Sequence, residues 1–82
     1  MDKKVWDELK NQGSQHYKTG EVEPIDLFRS AKPHGSLSAF GVKALTDTIK
    51  YAYRMVTKGV NESDCDKIIH YISLLKAENK EV

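Results

Sequence analysis

Lys50, Arg54 and Lys58 stand four residues apart with Tyr51 set among them. At 3.6 residues per turn an α-helix gathers them with Lys43 and Asp47 on one side. Such a strip suits a phosphorylated ligand that carries a flat base. Ammonium and guanidinium groups bond phosphate oxygens, and an aromatic ring stacks on a base. A solvated helix face also gathers charge, and Tyr51, which has no evident packing role on a polar face, is the residue that favours a ligand.

Further residues fit the same chemistry. Lys67 adds a cation, Tyr17 and Tyr71 offer rings, and Glu23 and Asp26 can accept hydrogen bonds from a base or sugar. His16, next to Tyr17 and upstream of both carboxylates, is a candidate general acid or base near neutral pH. The simpler role for a loop histidine is a hydrogen bond to the backbone. No Gly-x-x-x-x-Gly-Lys-Ser/Thr loop is present to cradle phosphates, so cations on helix faces would have to do that work. Glu23-x-x-Asp26 also matches the carboxylate spacing of magnesium-dependent nucleotide pyrophosphohydrolases, with Asp47 and Asp64 as further ligands. The cationic strip weighs against such a multi-metal centre, and no metal site is assigned.

Four helices must position these groups, and the spacing predicts an all-α fold. Asp2 caps a first short helix through about Gln12, with Trp6 anchoring it to the core and Gly13 as its stop. A loop over residues 14–20 carries His16 and Tyr17 across the body. Glu23-Pro24-Ile25-Asp26 starts a second short helix, since Pro fits the first turn and Asp suits the positive end of the dipole. Ser36 or Ser38 caps a long third helix, Gly41 to Lys58, closed by Gly59. Its apolar stripe is Val42, Leu45, Ile49, Ala52, Tyr53 and Val56. Asn61, with Asp64 three residues on, caps a last helix running to about Asn79. Its stripe is Cys65, Ile68, Ile69, Ile72 and Leu75. The short connection makes the two long helices antiparallel neighbours with these stripes facing each other. Asp64, Lys67, Tyr71 and Leu74 fall off this stripe on a second flank, where Tyr71 and Leu74 lead us to expect an interface with another copy.

Composition excludes several classes. At 82 residues the chain reads as a single domain over 1–82. A net charge of +1 is too small for a general nucleic-acid binder. One cysteine, Cys65, allows neither an intrachain disulfide nor a cysteine-based zinc site, and it reads as a buried structural thiol. No apolar run approaches the length of a membrane span or signal peptide, so a cytoplasmic protein without membrane contact is expected.

The ordered set His16-Tyr17, Glu23-Pro24-Ile25-Asp26, Ile49-Lys50-Tyr51 with Arg54 and Lys58-Gly59, then Asp64, Lys67 and His70-Tyr71 resembles a family of small phage-encoded domains. That family is largely of unknown function and is described as phage nucleotide kinase-like. The resemblance covers about Gln15 to Leu75. A longer relative phosphorylates deoxynucleoside monophosphates without a recognisable P-loop. The resemblance therefore implies a phage nucleotide-binding protein of the host cytoplasm; as an enzyme it would use a nucleoside triphosphate donor and magnesium. Where the family has Gly-Asn before Ala-Ile-Lys-Tyr, this chain has Thr46-Asp47 before Thr48-Ile49-Lys50-Tyr51, and the added carboxylate bears on phosphate binding or on a metal. The alternative from another class is a non-enzymatic effector that binds a host protein or sequesters a nucleotide signal.

Overall fold

A computed structural model of the chain describes residues 2–13 and 22–80. Those residues form four helices and no strand: α1 (Lys3–Asn11), α2 (Pro24–Ser30), α3 (Ala39–Lys58) and α4 (Glu62–Lys80). The fold is all-α, as the periodicity predicts. The two long helices pack against each other, and α2 lies on α3.

The helix ends follow from local chemistry. Asp2 accepts a hydrogen bond from the Lys4 amide at 2.6 Å, and Ser38 Oγ accepts one from the Gly41 amide at 2.9 Å. Each satisfies a donor that the first turn leaves without a backbone partner. Of the two serines considered as caps for α3, Ser38 takes the role. Pro24 opens α2, where its missing N–H costs nothing. Gly59 ends α3 at a φ of 101°, a conformation that disfavours any side chain. Asn61 Oδ1 accepts from the Asp64 amide at 3.1 Å and starts α4.

Cross-contacts fix the antiparallel register of α3 and α4. Ser38 Oγ donates to Glu78 at one end of the hairpin, and Met55 Sδ lies 3.6 Å from Cys65 Sγ near the other. Between them, the point where a Cβ on Gly41 would stand is 3.3 Å from Leu37 Cδ2 and 3.6 Å from Leu75 Cδ1.

This seam corrects the expected core stripe. Gly41 and Ala44 are buried, whereas Ile49, Ala52 and Val56 are exposed on α3 and Ile69 is exposed on α4. Small side chains let two helix axes approach closely, so α4 settles over Gly41 and Ala44. The bulkier apolar row lies about a quarter-turn further round α3 and is left outside. Cys65 is half-buried rather than enclosed.

A different device ties α1 to α2. Asp26 accepts from Trp6 Nε1 at 2.8 Å, from Lys10 Nζ at 3.0 Å and from the Glu23 amide at 2.8 Å. The Arg29 guanidinium stands 4.6 Å from the centre of the Trp6 ring. Tyr53 Oη donates to the Val22 carbonyl at 3.2 Å and ties α3 to the start of the α2 segment. The molecule measures 43 × 32 × 14 Å, so its short dimension is little more than the thickness of one helix.

Candidate functional site

The cationic strip of α3 is not a row of charges in bulk water. Asp47 lies between Lys43 Nζ at 2.7 Å and Lys50 Nζ at 3.8 Å, with its side chain only 14% exposed. Its contact with Lys43 raises that lysine's pKa, chiefly through the hydrogen bond. One turn further on, Arg54 Nε is 3.4 Å from Oδ2 of Asp64, a carboxylate that is only 2% exposed. Asp64 Oδ2 has no hydrogen-bond partner among the described residues, so Arg54 balances it through the ion pair alone.

Tyr51 is engaged as well. Its ring is nearly parallel to Tyr71, at 15° and 6.5 Å between centroids, and Lys67 Nζ lies 5.1 Å from its centre. Two residues that the sequence offers as base-stacking platforms thus stack on each other, and Lys67 supplies a cation–π contact to the pair. Lys58 is exposed in the last turn of α3 and has no ion pair among the described residues. His34 and His70 are both exposed.

Lys50 also faces a second environment. With Glu23 and Lys10 it borders a cleft of about 320 Å3 otherwise lined by Leu9, Gly13, Pro24, Ile25 and Phe28. Apolar walls with a few convergent charged groups are the common make-up of a small-molecule site. Glu23 is 7% exposed, a nearly buried carboxylate opposite two lysines. Asp26, proposed as a ligand contact with Glu23, is instead held by Trp6, the Glu23 amide and Lys10, which lower its pKa to about 2. The same contact with Asp26 raises the pKa of Lys10. Asp26 is thus committed to joining helices.

Of the residues singled out from sequence, Asp47, Lys50, Tyr51, Arg54, Lys67 and Tyr71 gather on one flank of the hairpin, and Glu23 joins Lys50 across the cleft. Lys58 extends the strip beyond Arg54, and Asp26 lies on the α1–α2 side. His16 and Tyr17 lie outside the described residues. Sequence reasoning passed over Phe28 as a cleft wall and Asp64 as the counter-ion of Arg54. Phe28 reads as ordinary packing in a short helix, and Asp64 reads as the residue whose backbone amide the Asn61 cap receives, which it also is. The apolar stripe of α4 sets Asp64 off the core, whereas the packing turns it toward α3, where it is 2% exposed and needs a partner.

Among the described residues no group of His, Cys, Asp and Glu is placed to hold a metal ion, and no helix is long and apolar enough to cross a membrane. No curated protein and no solved structure matches the chain. Residues 11–73, which span α2, α3, most of α4 and the cleft residues other than Leu9 and Lys10, match a family described as protein of unknown function (DUF3310). That match covers well over half of the 82 residues, and the chain belongs to the DUF3310 family.

Proposed function

We propose that the chain is a phage nucleotide-binding protein of the host cytoplasm, taking a nucleotide in the cleft between α1, α2 and α3. The observation that carries this reading is the double position of Lys50, which borders the apolar cleft and stands one helical turn from Arg54. Residues four apart on a helix are surface neighbours, so Lys50 and the Nη end of Arg54 can meet the same phosphate. Phe28 gives the base a flat apolar wall, and Glu23 accepts hydrogen bonds from base or sugar. Asp47 restrains the charge of Lys43 and Lys50, which tunes the strip toward a single phosphate-bearing ligand rather than a polyanion.

The kinase-like activity implied by the family resemblance is the more specific form of this reading. Titration calorimetry against a panel of nucleoside mono- and triphosphates tests binding, and any hit is then incubated with a triphosphate donor and magnesium to test turnover. Product formation identifies a kinase, and affinity without product identifies a binder. Lys50→Gln is the diagnostic variant, because it removes the cation from a half-exposed position without setting a third carboxylate beside Asp47 and Glu23. A lost charged hydrogen bond is worth about 1.5–3 kcal/mol, so affinity should fall roughly ten- to hundredfold. Absence of binding by the unaltered chain at high micromolar protein sinks the nucleotide reading and favours a protein-binding effector.

A further inference from the structure

The two flanks of the α3–α4 hairpin differ in kind. On α3 the line toward α4 runs through Ala44, Thr48 and Met55. Asp47, Lys50 and Arg54 lie to one side of it, and Leu45, Ala52 and Val56 lie to the other. Arg54 meets Asp64, and Tyr51 meets Lys67 and Tyr71, so α4 turns Lys67 and Tyr71 to the polar side. Ile69 and Ile72 consequently share the opposite flank with the apolar row of α3. Val56 is 84% exposed there and Ile69 63%.

The chain exposes more surface than a typical monomer of its mass. A folded monomer of 9.3 kDa exposes about 5,000 Å2 by the usual mass scaling, and this chain exposes 6165 Å2. Apart from Pro24, Ala44 is the only buried apolar side chain among the described residues, and among them nothing covers Val56 or Ile69.

We propose that a second copy of this chain covers the flank, with a two-fold axis passing beside Ile69. The two hairpins then form a four-helix bundle whose inner layer holds Ala52, Val56, Ile69 and Ile72 from each copy. An isologous interface needs a self-complementary face. The centre of this one bears no charge, as the cores of homodimer interfaces generally do not. Its ends bear opposite charges on the Ile69 side of α4: Glu62 is seven residues before Ile69 and Lys76 seven residues after it. With the two α4 helices antiparallel across the axis, each Glu62 meets the partner's Lys76.

Sedimentation equilibrium and light scattering on the full chain test this. The expected mass is about 19 kDa, twice that of one 9.3 kDa chain. Ile69→Glu should halve the mass while far-ultraviolet circular dichroism keeps its helical signal, because Ile69 is mostly exposed within one copy. Glu62→Lys should weaken the dimer and Glu62→Lys combined with Lys76→Glu should restore it, which only the antiparallel register predicts. A monomeric unaltered chain, a mass above the dimer, an Ile69→Glu variant of undiminished mass, or a charge-swapped variant no tighter than Glu62→Lys would each overturn the proposal.

Discussion

The α3–α4 seam and the α1–α2 seam close by opposite means. In the first, Gly41 and Ala44 bring two long helices together, and a nearly buried ion pair locks one end. In the second, a single carboxylate collects an indole, an ammonium and a backbone amide, and little apolar surface is enclosed. Close packing fixes which faces meet and tolerates few changes of volume. A polar pin fixes only where two elements touch, and its strength follows the ionisation of one group.

The largest effect should come from the locked end of the first seam. Arg54 is itself 32% exposed, but Arg54→Glu sets a second carboxylate against Asp64, which is 2% exposed, so it should destabilise the hairpin rather than simply remove a ligand contact. Breaking a buried pair costs about 3–5 kcal/mol, much of the stability of a small domain. Thermal melts followed by circular dichroism should show a lost or strongly lowered transition. A normal melt for this variant would mean that the seam does not depend on the pair.

Ala44→Leu should be milder. The site is 0% exposed, and overfilling a packed contact costs about 1–3 kcal/mol. Urea unfolding would report a lower midpoint at an unchanged slope, whereas an unshifted midpoint would show that α4 can ride over a larger residue.

The smallest effect belongs to the polar pin. Trp6→Phe removes one donor to Asp26 and should cost about 1 kcal/mol by the same urea measurement. Acid acts on the same group. The folded carboxyl has its pKa lowered to about 2 from 3.8. Its contribution is therefore complete above about pH 4 and disappears as pH falls toward 2. The unaltered protein should lose stability across that window, and Trp6→Phe should lose less. Equal acid sensitivity in both proteins would place the acid-sensitive group elsewhere.

Much of the fold was legible in the sequence because helix ends are local. Asp2, Pro24, Ser38, Gly59 and Asn61 each satisfy or release backbone groups within a few residues, and each marks an observed boundary. The facing sides of the long helices were not legible. Apolar periodicity selects the bulkiest row, which on α3 is Leu45, Ile49, Ala52 and Val56, whereas helix approach selects the smallest residues, Gly41 and Ala44. The clustering of Lys50, Tyr51 and Arg54 with Lys67 and Tyr71 combined spacing on one helix with the register of two. Lys50 was legible as a phosphate group, but its place at the cleft depends on how α2 docks. No periodicity in α3 reports that.

Gly59, with its positive φ, and the two residues after it are the whole connection between α3 and α4. The entropy of closing a loop grows only with the logarithm of its length, and here that length is close to its minimum. The principal seam therefore joins segments adjacent in the chain and need not wait for α1 or α2. Such local topology belongs to rapidly folding helical proteins, so the half of the molecule that carries most of the charged strip is also the half whose folding search is shortest.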